Sequence, residues 1–323
     1  KALRQVPGVR VAALCNPSGR HLDGDFTGVA GNVGDNAPVK LEPGSFKAFR
    51  DYATMLADPD IHAVDICAPT LAHRDLAFAA LRAGKHVLCE KPFARTAAQA
   101  REMAAVARET GRVLMPAMCL RFFPEWVWVR AAIADGRFGK VHSARFRRVA
   151  EPPGWGQANF LDGAKSGGAL LDLHIHDTDF VQFCFGRPHA VRSAGYTKIS
   201  GAIDHVVTDY EVAGGALVQA EGAWCFTPGF GFNMAYTVNF ERATVDYDLA
   251  RGADALKLFE EGQPARVIKL DQPDGYVGEI RHLLDSIRSG KAPTIVTAAD
   301  AASAVEICEA EERSIRTGAK VSL

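Results

Sequence analysis

From Val9 to Met118, short apolar and β-branched runs alternate with stretches of helical periodicity. The runs fall at 9–14, 63–67, 86–89 and 113–118. Fully apolar runs separated by helices are the pattern of parallel strands buried on both faces. The helix before the last run is bounded by Thr96 with Gln99, spaced as a capping box, and by Gly111 after its end. Met103 and Val106 mark its apolar stripe. Residues 1–122 are therefore predicted to form a doubly wound, Rossmann-type α/β domain that binds a dinucleotide.

After Arg121 the pattern changes to a helix, a strand at 141–149, a Gly/Pro-rich loop and a helix from about 169 to 185. Segments such as "HVVTDYEV", "ALVQAEGAWCF", "MAYTVNF" and "ATVDYDL" follow with no helices between them. Successive strands on short turns predict a mainly antiparallel sheet. Helical patterns at 275–289 and 298–317 close the chain. Residues 123–323 are thus expected to be an α+β domain for substrate binding and oligomerisation. One sheet face lacks a local helical cover, which predicts a homo-oligomer, dimer or tetramer.

Two stretches interrupt this rhythm. The segment 20–45 is rich in Gly, Asp, Asn and Pro and reads as a long ordered loop near a cofactor's adenosine end, or as a surface excursion. The chain opens with "KALRQVPGVRVAAL", a helix end, a turn and then a strand. In a dinucleotide fold a Gly-rich turn follows the first strand, and a ribose-binding residue ends the second, about 20 positions later. If 9–14 is that second strand, Asn16, Ser18 and Arg20 stand at the ribose. About 15 to 30 further residues carrying the glycines would then precede Lys1. "GVAGNVG" at 28–34 lacks the flanking strand and helix such a turn requires. Asn16 in place of an acidic residue, with Arg20 nearby, leaves NAD and NADP both open.

Composition narrows the partners. A net charge of −1 gives no broad field for nucleic acid or anionic membrane. No run approaches the roughly 18 apolar residues of a membrane span. Seven scattered cysteines without a Cys-x-x-Cys pair suit buried thiols in a reducing, cytoplasmic compartment. A small-molecule partner is expected.

The chemistry concentrates in two places. "CEKPFA" ends a predicted buried strand, which puts Glu90 and Lys91 at the mouth of the crevice where open α/β sheets bind ligands. In a helix at 169–185, Asp172 and His176 are four residues apart on one face, with Asp179 one turn on. A carboxylate beside an imidazole would raise its pKa and fix its tautomer for proton transfer. His174 lies about 200° around from Asp172 and is expected outside that site. Reading Asp172, His174, His176 and Asp177 as metal ligands is disfavoured, because His-x-His imidazoles diverge on a helix; no metal is expected. Between strand and helix, "EPPGWGQANFLDGAKSGG" offers Trp155, Gln157, Asn159 and Lys165 for a sugar, or a subunit-contact arm.

The string "AGKHVLCEKPFA", with "PTLAH" before it, resembles the Gfo/Idh/MocA oxidoreductases. "LRFFPEW", "GGALLDLHIHDTDF", "GYVGEIRHLLDSIRSGKAP" and "SIRTGAKVSL" extend the resemblance over nearly the whole chain. It implies that Lys91 reaches a substrate oxygen and that the peptide before Pro92 is cis. It also implies that Ala68, Pro69, Thr70, His73 and Glu90 line the nicotinamide side, and that Arg121 faces nicotinamide or substrate. His174 departs from the family, where Gly is common, which points to an altered pocket. The expected activity is hydride transfer between NAD or NADP and a secondary hydroxyl of a sugar, inositol or related polyol. Lys91, Asp172 and His176 would be catalytic, and Trp155, Asn159 and Arg121 would help bind the substrate. A redox-neutral glycosidase with tightly held NAD and a non-catalytic dinucleotide sensor are the alternatives.

Overall fold

A computed structural model describes residues 1–29, 31–33 and 37–323. Part of the "GVAGNVG" string, Ala30 and Gly34, lies outside the described residues.

The first half is built of parallel strands and helices, as its apolar runs predict. Strand β1 (Ala13–Cys15) pairs with β2 (Lys47–Phe49). Strands β3 (Ala63–Ile66), β4 (His86–Cys89) and β5 (Leu114–Pro116) form a second parallel sheet in that order. Among the described residues, β1 and β3 are each paired along one edge only, which leaves the parallel strands in two sheets. Helices α1 (Tyr52–Leu56), α2 (Thr70–Arg82) and α3 (Ala97–Thr110) connect the strands. Helix α3 starts where the Thr96 hydroxyl accepts from the Gln99 amide at 3.3 Å. It stops at Gly111, whose φ of 64° lies in the left-handed region that glycine enters without a Cβ penalty. Its buried face carries Ala97, Ala100, Met103 and Val106.

The second half contains α4 (Pro124–Asp135), β6 (Val141–Ala150) and the short helices α5 (Gln157–Phe160) and α6 (Gly163–Ser166). A single π-helical turn (Leu170–His174) then leads into α7 (Ile175–Phe185). The remaining elements are β7 (Ala190–Tyr196), β8 (His205–Glu211), β9 (Leu217–Ala223), β10 (Phe232–Phe240), β11 (Ala243–Asp248), β12 (Leu256–Glu260), β13 (Arg266–Val267), α8 (Gly275–Ser289), α9 (Ala298–Thr317) and β14 (Val321–Ser322). The strands form one sheet in the order β13-β12-β11-β10-β6-β9-β8-β7-β14, antiparallel except for β6 against β9. Alternation along β10 buries Met234, Tyr236, Val238 and Phe240. Trp126 of α4 packs edge-on to Tyr236 and Tyr247 at 5.2 and 4.6 Å.

Helix α9 belongs to both cores. Ala301, Val305 and Cys308 pack with the parallel half, while Ile307 and Ala310 pack with the antiparallel half. Among the described residues, no helix is long and apolar enough to cross a membrane. All seven cysteines are unpaired.

Candidate active site

A cavity of about 210 Å³ opens between the two halves. Lys91, Asp172 and His176 line it together. Lys91 follows β4 and is held by the turn into Pro92, whose peptide bond is cis as the motif implied. Its Nζ donates to the Asp172 carbonyl at 2.7 Å and lies 3.4 Å from the Asp172 carboxylate.

Asp172 and His176 reach the cavity by a route the sequence did not show. A regular α-helix would stack them on one face, but the segment starts with the π-helical turn Leu170–His174. Asp172 lies within that turn and His176 in the first turn of α7 that follows it. The Asp172 carboxylate meets Lys91, and among the described residues no hydrogen bond joins it to the imidazole. The expected rise in the His176 pKa is corrected accordingly. Burial, followed by the charges of Lys91 and Arg148, holds His176 well below the ordinary imidazole range. Its Nδ1 is sealed without a partner. Nε2 is the nitrogen left to face the cavity.

The ion pair between Arg148 of β6 and Asp177 of α7 stands behind His176 at 2.8 Å, and both side chains are buried. Spacing gave no sign of it. The available signals were Arg148, which breaks the in-out alternation of β6 beside Arg147, and an aspartate next to His176. The four residues weighed as metal ligands diverge. Asp172 turns to Lys91, His174 to Tyr210 and Asp177 to Arg148, while His176 faces the cavity.

The cavity has an aromatic wall. Trp155 lines it, as expected for the loop after β6, and so do Phe160, Trp224 and Phe232. Asn159 does not line it; the one-turn helix α5 brings its neighbour Phe160 there instead. Gln157 is on the same turn, and Lys165 pairs with Asp162 at 2.7 Å. Trp224 is fixed by its indole N–H, which donates to Asp204 at 2.7 Å. Gly31, Asn32 and Val33 of the long segment 20–45, read as a loop near the adenosine end or a surface excursion, also line the cavity.

Two residues expected at the cofactor serve the scaffold. Arg121 is buried and bidentate to Asp179 at 2.9 and 2.7 Å, donates to the Ile295 carbonyl at 2.8 Å and lies over the Phe183 ring. Its donors are engaged by Asp179, Asp300 and the Ile295 carbonyl, and Arg121 does not line the cavity where it was expected to face nicotinamide or substrate. His73 is buried with its ring nitrogens 2.8 and 2.9 Å from the carbonyls of Ala68 and Pro92. It clasps the β3–α2 and β4–α3 turns together and has no polar atom left for a ligand. Ala68, Pro69 and Thr70 stand at the start of α2, where Pro69 offers no side-chain cap and its carbonyl accepts from the Ala72 amide at 2.8 Å. Glu90 accepts from the Lys91 amide at 3.2 Å, and burial, with Asp65 adding to it, raises its pKa. Asn16 ends β1 in a tight turn, accepting from the Ser18 amide and hydroxyl at 3.0 and 2.9 Å, while the Ser18 hydroxyl accepts from the Arg20 amide.

Comparison with known proteins agrees with this layout. Residues 12–118 match the model of an oxidoreductase family with an NAD-binding Rossmann fold (GFO_IDH_MocA), and residues 126–246 match the C-terminal domain model of the same group. The chain is 38% identical to 1,5-anhydro-D-fructose reductase of Ensifer adhaerens over 197 residues, 58% of each chain. It thus spans between half and two thirds of the length of that relative. Aldose-aldose oxidoreductase of Caulobacter crescentus, solved with glycerol, superposes with a TM-score of 0.82 at 23% identity, covering 100% of this chain and 94% of that one. A levoglucosan dehydrogenase solved with NADH and levoglucosan gives 0.77 at 22% identity, covering 85% and 84%. At these identities the two structures speak to the fold.

Proposed function

This chain belongs to the Gfo/Idh/MocA oxidoreductase family, and on that premise we propose that it moves a hydride between a nicotinamide coenzyme and a secondary hydroxyl or ketone of an uncharged sugar or polyol. The observation that carries the reading is the convergence of Lys91, Asp172 and His176 on one aromatic-walled cavity. A named relative, a reductase of an anhydro sugar, supports the substrate class.

The residues present suit the nicotinamide end of the coenzyme. His73 ties the start of α2 to Pro92, next to Lys91, and the Asn16 turn ends β1 where a ribose would be held. No GxGxxG string occurs in the sequence, so no residue here is assigned to the pyrophosphate. When bound, the nicotinamide supplies the hydride chemistry. Lys91 offers the ammonium that stabilises charge developing on the substrate oxygen. Asp172 holds that ammonium through its carbonyl and carboxylate. His176, neutral because of its depressed pKa, takes the hydroxyl proton on Nε2 in the oxidative direction and returns it in the reductive one.

Both cavity cations are already paired, Lys91 with Asp172 and Arg148 with Asp177, and Glu151 lies on the lining. The cavity therefore has little to attract a phosphate or carboxylate. Its aromatic side chains suit the apolar face of a sugar ring.

The test is to titrate the full-length protein with NAD(H) and NADP(H) by nicotinamide fluorescence and then add a panel of neutral sugars, inositols and their phosphorylated forms. Sugar-dependent reduction with neutral compounds supports the reading. Glycoside cleavage without net NADH would replace it with the redox-neutral glycosidase. Ligand binding with no turnover of any kind would favour a sensor.

A further inference from the structure

His174 lies between Asp172 and His176 in sequence but faces away from the cavity. It is fully buried, and its Nε2 sits 3.1 Å from the Tyr210 hydroxyl and 3.5 Å from Glu311 Oε2. Tyr210 donates to Glu311 Oε1 at 2.6 Å, and Thr178 donates to the same oxygen at 3.2 Å. Since the tyrosine proton is spent on Glu311, the hydroxyl must accept from His174, which places a proton on Nε2. Glu311 and Thr178 are also fully buried, and Glu311 Oε2 has no hydrogen-bond donor apart from the approach of His174. Strand β9 leaves room for the imidazole only because residue 222 is glycine. A Cβ there would stand 2.5 Å from His174 Cβ and 2.8 Å from its Nδ1.

These contacts tie the last residue of the π-helical turn to β8, β9 and α9 at once. The turn carries Asp172, which meets Lys91, and leads into His176, which lines the same cavity. An α-helical turn would be the ordinary alternative for this segment, so something must hold the wider one in place. We propose that His174 is a positioning residue for the proton-transfer site, fixing the π-helical turn through Tyr210 and Glu311 so that Asp172 meets Lys91 and His176 Nε2 faces the cavity. The inference rests on the role given to His176 above. It adds a residue that never touches the substrate.

The test compares His174→Ala, His174→Gln and Tyr210→Phe in the full-length protein. Glutamine can place an amide N–H near the position of Nε2, and Tyr210→Phe keeps the packing while removing the hydrogen-bond link. The expected result for His174→Ala is a fall in kcat of tenfold or more, with coenzyme KM within twofold. His174→Gln should recover kcat to within about threefold, and Tyr210→Phe should fall in between. A purely structural role would lower the melting temperature of all three and leave kcat of the folded protein unchanged, and that result overturns the proposal. A second readout needs no substrate: ring-nitrogen resonances of His176 in histidine-labelled protein. They should shift in His174→Ala and in Tyr210→Phe, and return toward wild type in His174→Gln. Unchanged His176 resonances in both disrupting variants overturn the proposal even if no tested sugar is turned over, and should His174→Ala fail to fold, the other two variants decide.

Discussion

Lys91 Nζ approaches the backbone carbonyl of Asp172 more closely than its carboxylate, 2.7 Å against 3.4 Å. The ammonium is thus placed partly by main chain, and removing the carboxylate charge should not release it.

Asp172→Asn is therefore expected to cost turnover far less than Lys91→Ala. Loss of the ammonium should lower kcat on the order of 10²–10³-fold, the scale of removing one donor to a developing oxyanion. Steady-state kinetics beside nicotinamide fluorescence titration checks this, with coenzyme affinity mostly retained in both variants. A Lys91→Ala enzyme running near the normal rate would sink the assignment.

The depressed pKa of His176 fixes the sign of the pH dependence. Oxidation needs the neutral imidazole, so its kcat/KM should stay flat from pH 8 down through the ordinary histidine value near 6.5 and decline only below it. Reduction needs the imidazolium and should slow as pH rises across the same range. Rate profiles in the two directions measure it, and an oxidative limb centred at or above 6.5 contradicts the buried, cation-flanked imidazole.

Arg121→Ala should act on stability. The variant strands the buried Asp179 carboxylate, a loss of about 3–5 kcal/mol for a broken buried pair. Denaturant unfolding should show that loss. Coenzyme affinity of the folded fraction should match wild type; a specific tenfold loss of affinity without destabilisation would return Arg121 to the cofactor.

Asp204 gives a further handle on the aromatic wall. It is fully buried and accepts from the amides of Lys198, Ile199 and Ser200, from the Ser200 hydroxyl and from Trp224. Burial pushes its pKa up, but the donors, led by the Ser200 hydroxyl and the Ile199 amide, outweigh it and leave the pKa below the ordinary value. A folded pKa below the unfolded one means stabilisation present at neutrality and lost as pH falls below about 4. Asp204→Ala should cost about 3 kcal/mol at pH 7, from hydrogen bonds to a charged acceptor. It should also raise substrate KM by freeing the Trp224 indole. Urea unfolding at pH 7 and pH 3 compares the two terms: the gap between wild type and variant must narrow at the lower pH.

The large elements were legible because each has a period. Helices α8 and α9 run over the same residues that the 3.6-residue pattern marked, and β4 coincides with its apolar run. Strands β2, β13 and β14 were not visible, since two or three residues carry no period. Lys91, Asp172 and His176 were found by sequence and do share a cavity. Their mutual geometry was not found, because a π-helical turn leaves no signature in the spacing of side chains. Arg121 and His73 show a related limit, since their partners here are Asp179 and backbone carbonyls. A polar side chain in a motif looks the same in sequence whether its donors meet a ligand or backbone carbonyls, and only the packing tells them apart.

Helix α9 also bears on how the molecule is made. The parallel half leaves the ribosome before α9 does, yet Ala301, Val305 and Cys308 of that helix complete its core. Its apolar face must wait, uncovered, through nearly two hundred residues of translation counted from β5. A gene cut at residue 122 would leave that face uncovered for good. Such a fragment is a poor candidate for independent expression and a good one for capture by chaperones that recognise exposed apolar surface.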